Sequence, residues 1–142
     1  GGWKDDVEAL RWCRLAAAQN PADAQCNLGF MYRQGRGVKK DEVEAVKWYR
    51  LAAAQNHAAA TFNLGCMYAN GEGVKRDDVQ ALAHWRSAAS QEHGGACCNL
   101  GMSYLHGYMG LKVDVDQAKR LLARAVSQGC ERAQPHLDQL VS

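Results

Sequence analysis

The chain contains no apolar stretch approaching the roughly 20 residues that a membrane-spanning helix needs, so nothing in it reads as crossing a bilayer. It also lacks a surplus of either charge. The net charge is +2, with both signs interspersed, which provides no basic face for nucleic acid or for an anionic membrane surface. No nucleophile–base signature, phosphate-binding loop or metalloprotease motif is present, and no Cys-x-x-Cys pair. There is no signal-peptide pattern and no initiating Met; the opening Gly1-Gly2 is expected of a tag remnant or of a piece of a longer protein. What remains is 142 residues, 47% of them apolar, enough for one compact unit with a continuous core.

What the sequence does have is a repeat. Asn63-Leu64-Gly65-Cys66-Met67-Tyr68 returns as Asn27-Leu28-Gly29-Phe30-Met31-Tyr32 and as Asn99-Leu100-Gly101-Met102-Ser103-Tyr104, in steps of 36 residues. The flanks move with it: Ala-Ala-Ala-Gln-Asn stands at 16–20 and at 52–56, with Ala88-Ala89-Ser90-Gln91-Glu92 as a third copy. A fixed period in this range is the signature of a solenoid of helical hairpins. In the first segment of each unit Ala60, Leu64 and Tyr68, like Ala24, Leu28 and Tyr32, fall four apart on one helical face.

Glycine inside a helix costs about 1 kcal/mol against alanine, so Gly29, Gly65 and Gly101 call for a packing reason. The expected one is close approach to the second helix, through its alanines at 52, 53, 88 and 89. The loops Gly35-Arg36-Gly37-Val38 and Gly71-Glu72-Gly73-Val74 suit a left-handed helix end followed by a valine folded back onto the apolar face. Each second helix then opens with Asp and, three residues later, Glu or Gln: Asp5 and Glu8, Asp41 and Glu44, Asp77 and Gln80, Asp114 and Gln117. That is a capping-box arrangement, and it places an acid at the positive end of the helix dipole.

This pattern resembles the Sel1-like repeat family, a relative of the TPR proteins, whose units run Ala-x-x-x-Leu-Gly-x-x-Tyr-x-x-Gly-x-Gly-Val-x-x-Asp-x-x-x-Ala-x-x-Trp-x-x-x-Ala-Ala. Ala60, Leu64, Gly65, Tyr68, Gly71, Gly73, Val74, Asp77, Ala81, Ala88 and Ala89 fit it; Trp85 sits one place late, whereas Trp48 is in register. The resemblance implies an all-α, right-handed α-solenoid of antiparallel helix hairpins, and an adaptor scaffold rather than an enzyme. A single repeat domain over 1–142 is expected. It comprises a half repeat at 1–20 beginning in loop register at Gly1, repeats at 21–55, 57–91 and 93–128, and a C-terminal capping helix at 131–141. Asn20-Pro21 reads as a cap followed by proline at the first helical position. The third unit is one residue longer, through Gly107-Tyr108-Met109-Gly110-Leu111. Trp3, whose column holds Lys39 and Lys75, is expected to be exposed, while Trp48, Tyr32, Tyr68 and Tyr104 are expected in the core.

Six cysteines leave three readings: buried reduced thiols, a bridge, or a metal site. The family's disulfide-rich branch pairs a Cys at the end of a second helix with one eight residues on. Here Cys97 has Ala89 at that spacing, and the other units place Gln25 and Thr61 at the later position, so six free thiols are expected. Unpaired cysteines favour the cytoplasm; a removed signal peptide would instead place the protein in the periplasm or outside the cell. His93 and Cys97 lie four apart, with Cys98 and His106 nearby, but a structural zinc site needs four convergent ligands.

With Leu28 taken as inward, Asn27, Phe30 and Gln34 point the other way; the same columns hold Asn63, Cys66 and Asn70, then Asn99, Met102 and His106. Asparagine offers donors and an acceptor, so such a ladder, flanked by side chains that change from unit to unit, can grip an extended peptide on a concave wall. The expected function is a non-enzymatic scaffold for a protein or peptide partner, with no cofactor or metal, acting as a monomer or within a longer repeat array. Three alternatives stand beside it: binding at the loop edge through Tyr108 and Met109, a Cys/His-based metal or enzymatic module at 93–106, and a structural spacer without a ligand.

Overall fold

A computed structural model describes residues 2–141; Gly1, expected in loop register, lies outside them. The order is α1 (Trp3–Ala17), α2 (Ala22–Gln34), α3 (Glu42–Ala53), α4 (Ala58–Asn70), α5 (Asp78–Ser90), α6 (Gly94–His106), a 3-10 turn Tyr108–Gly110, α7 (Val115–Ser127), a second 3-10 turn Glu131–Ala133 and α8 (Gln134–Val141). No strand occurs among the described residues. The closest packing lies within three hairpins, α2 with α3, α4 with α5 and α6 with α7, and each hairpin packs on the next in chain order. This is the expected all-α solenoid, and its core runs along it as three successive apolar clusters.

The turns that make the hairpins are local chemistry. Gly35, Gly71 and Gly107 end α2, α4 and α6 with φ of 70°, 67° and 69°. The N–H of Arg36 reaches back to the Met31 carbonyl and that of Glu72 to the Met67 carbonyl, satisfying acceptors that a helix end leaves open. Val38 and Val74 fold onto the apolar clusters as expected. Asp41, Asp77 and Asp114 cap α3, α5 and α7, each side chain accepting from the backbone N–H three residues on at 3.1 Å.

Several local expectations need correction. The N–H of each capping Asp donates to the carbonyl of Tyr32, Tyr68 or Tyr104, so the loop is closed by the preceding helix and not by the reciprocal half of a capping box. Asp5 is not the N-cap of α1, because the helix begins two residues earlier at Trp3, after Gly2. Asn20 is not the cap of α2. It takes a left-handed conformation in the turn before it (φ 75°), as do Asn56, Glu92 and Gly129 at the equivalent places. Those short turns are followed by histidine caps in two units, where Nδ1 of His57 and of His93 accepts from Ala60 and Ala96 at 3.2 Å.

The glycine columns do approach the second helix, but not at the alanines 52, 53, 88 and 89: they meet large side chains and, for Gly29 and Gly65, the backbone carbonyls of Ala45 and Ala81 at 3.2 Å. A Cβ on Gly29 would lie 2.9 Å from the Tyr49 ring, on Gly65 2.6 Å from Trp85, and on Gly101 2.9 Å from Leu122. The glycines are sockets for the bulkiest core residues. The register follows from this: Tyr49 and Trp85, one place after the Trp48 position, are buried in their own hairpins, while half-buried Trp48 packs on the cluster of the preceding unit. Tyr32, Tyr68 and Tyr104 are likewise only half-buried.

Candidate functional site

The first helices α2, α4 and α6 carry the expected row of side chains. On α2, Asn27, Phe30 and Gln34 are exposed, Phe30 to 42%. On α4, Asn63 and Cys66 are half-buried and Asn70 is exposed, its amide donating to Glu72 at 2.9 Å. On α6, Asn99 and Met102 are half-buried, and exposed His106 lies against the Tyr108 ring, centroids 5.1 Å apart. The row is continuous, but its asparagines are not equivalent. Asn63 contacts the Cys26 thiol of the preceding unit. Asn99 reaches Cys66 Sγ at 4.0 Å and accepts from Arg132 Nη2 at 2.6 Å. Two of the three amides are therefore engaged along the wall.

Two arrangements escaped the sequence reading. Arg33 on α2 makes a two-pronged bond to Glu72 in the loop of the next unit, at 3.3 and 3.1 Å, with both side chains mostly buried. Burial opposes the charge on Glu72, yet hydrogen bonds from Arg33 and Asn70 hold its pKa below the ordinary glutamate range. On another face, Arg14, Arg50 and Arg86 donate to the hydroxyls of Tyr32, Tyr68 and Tyr104 at 2.8, 2.9 and 3.5 Å. That second ladder was available in the repeat, since its arginines recur every 36 residues; the Arg33–Glu72 pair has no repeated counterpart to announce it.

The six cysteines are unpaired. Burial pushes the Cys66 thiol up, against the pull of the Trp85 N–H and of Arg33 and Arg132, and it pushes Cys98 up to about 11. Thiols held protonated in this way are poor nucleophiles. His93 is turned to capping and stacks on Phe62 at 4.7 Å between centroids. Among the described residues no three His, Cys, Asp or Glu side chains come together to hold a metal ion. No helix among them is long and apolar enough to cross a membrane.

Beside the row lies a cavity of about 460 Å³ between the second and third hairpins, lined by residues of both candidate surfaces, Asn99 and Met102 of the wall and Tyr108 and Met109 of the loop edge. Those two sets, separate in the sequence reading, form one surface.

Comparison with known proteins follows this geometry closely. The chain is similar to a crystal structure of a Sel1 repeat protein from Oxalobacter formigenes, at 39% identity over 96% of this chain and 55% of that one, with a TM-score of 0.88. It is also similar to the structure of c5321, a protective antigen present in uropathogenic Escherichia coli strains and displaying an SLR fold, at 31% identity over 92% of this chain and 36% of that one, with a TM-score of 0.69. The chain thus spans about half the length of the first and about a third of the second. Comparison with curated proteins gives no match. The Sel1 repeat profile matches residues 4–21, 22–57, 58–93 and 95–130. Sel1 repeats are generally protein-interaction modules and non-enzymatic scaffolds. With four repeat matches spread over nearly its whole length, the chain belongs to the Sel1 repeat family.

Proposed function

We propose that this chain is a non-enzymatic scaffold that holds a protein or peptide partner on the row formed by α2, α4 and α6. The observation that supports this most is the composition of that row. Phe30 is exposed on a helix whose other face is fully packed, and it heads a column continued by Cys66 and Met102, beside amides at 27, 63 and 99. Aromatic side chains, Phe among them, are enriched at protein interfaces, where they act as apolar anchors. A second reading, a spacer without a ligand on these units, draws support from Asn63 and Asn99, whose amides already bond along the wall.

The test is affinity capture with the wild-type chain and with F30A and N63A, followed by titration of the captured partner. Phe30→Ala is expected to weaken binding by about 2 kcal/mol and Asn63→Ala by about 1 kcal/mol. A partner that binds both variants like the wild type would overturn the assignment to this row.

A further inference from the structure

The repeat supplies its own control for the cavity between the second and third hairpins. At the junction between the first and second hairpins, Arg33 and Glu72 reach across the equivalent place as an ion pair with both side chains mostly buried. Moved on by one period of 36 residues, Arg33 becomes Ala69 and Glu72 becomes Tyr108. Neither can form that bridge, and both line the open cavity of about 460 Å³. This volume falls in the range of sites that take small ligands or a few side chains.

Its lining is one-sided in charge. Arg76 and Arg132 are its two ionised groups, with no acidic side chain among the lining residues. Arg76 is shared with Asp78 at 3.2 Å on the exposed side. Arg132 donates to the neutral carbonyl of Asn99, and no carboxylate among the described residues pairs with it. Apart from the neutral polar Asn99 and Ser103, the other walls are apolar: Trp85 (7% exposed), Met102, Met109 and Ala69, with Tyr108 54% exposed at the mouth. The longer third loop adds to this surface, because Met109 takes a left-handed conformation (φ 59°) and packs against the core cluster. A guanidinium without a carboxylate, over a floor of thioether and aromatic groups, is complementary to a carboxylate beside a large apolar side chain.

We propose that this groove is the part of the row that selects its partner, and that it takes an acidic peptide segment carrying a bulky apolar side chain, with Arg132 receiving the carboxylate. This rests on the scaffold reading above and narrows it to one junction and one partner chemistry. The wall at Phe30 and Asn63 then contributes extent, while the Ala69–Tyr108 junction contributes selection.

The probes are three ten-residue peptides: one of alternating Glu-Glu and Leu-Phe pairs, the same with Lys for Glu, and the same with Ser for Leu and Phe. Each is titrated into the isotope-labelled chain by NMR, with the Trp85 indole N–H and the amides around Met102 and Tyr108 as reporters. The acidic–apolar peptide is expected to move those signals and to bind at least ten-fold more tightly than either control, with affinity falling as salt is raised. Arg132→Gln should weaken it about ten-fold. The double substitution A69R/Y108E, which installs the pair found at the first junction, should abolish binding while leaving the helical circular dichroism unchanged. Equal binding of the acidic and lysine peptides, shifts confined to the Phe30 region, no binding of any peptide, or wild-type affinity in both R132Q and A69R/Y108E would each overturn the inference. None of these results touches the capture experiment with F30A and N63A, so the two readings fail separately.

Discussion

The two junctions between complete hairpins share a backbone plan and differ in what fills them. The first is closed by Arg33 and Glu72; the second, with Ala69 and Tyr108 in their places, is open. The loops differ in the same sense. A Cβ on Gly73 would collide with the Glu42 carbonyl of α3, whereas nothing lies within 4 Å of one on Gly110. A repeat protein can hold its hairpins constant and vary its junctions, because stability is set mainly inside each unit and at nearest-neighbour contacts. Surface chemistry is then free to change at positions that the fold does not need.

The strongest way to break this comparison is at the loop glycines. Gly73→Ala adds a backbone collision to the strain of a left-handed residue (φ 70°), and should destabilise by about 3–4 kcal/mol. Gly110→Ala, left-handed (φ 79°) in open space, should cost only about 1–2 kcal/mol. Chemical denaturation of the two variants decides it; equal losses would mean that the third loop is as tightly docked as the second.

Within the hairpin, Gly65→Leu drives a side chain into the Trp85 ring and should destabilise by about 1–3 kcal/mol. Unchanged denaturation would show that the glycine socket is dispensable.

The ion pair itself gives a pH signature. Because the folded-state pKa of Glu72 is depressed, its contribution is complete above the ordinary glutamate pKa and is lost as pH falls through the lower folded value. Arg33→Met should cost about 1 kcal/mol at neutral pH and flatten the acid limb of the stability curve. An acid limb unchanged from wild type would remove the pair from the account of the first junction.

The smallest effect concerns the short turns. Glu92 occupies a left-handed position (φ 61°) that its counterparts give to Asn20, Asn56 and Gly129. Glu92→Asn should stabilise by about 0.5 kcal/mol, seen as a small rise in the denaturation midpoint. A fall in that midpoint would mean that Glu92 makes a compensating contact.

Much of the candidate row was legible because it repeats. The columns 27/63/99 and 30/66/102 recur on the first helices as their spacing implies, but only Asn27 and Phe30 are exposed, while Asn63, Cys66, Asn99 and Met102 are half-buried. What could not be read was the use made of each member. Asn63 and Asn99 turn to sulfur atoms of the preceding unit, and Asn99 also to Arg132, because those partners sit 33 to 37 residues away and meet only when hairpins stack. His93, set beside Cys97 as a ligand candidate, instead caps α6, since an unprotonated Nδ1 at that position finds the Ala96 N–H first.

Local sequence is enough for the helices, the left-handed glycine ends, three aspartate caps and the order in which hairpins stack, since each depends on groups within a few residues or on a strict period. Packing between helices settled which bulky side chain enters each glycine socket, and that one junction is bridged by an ion pair while the next holds a cavity. Those outcomes depend on side chains from different hairpins meeting across the stack, where size and charge are matched between units and not within them.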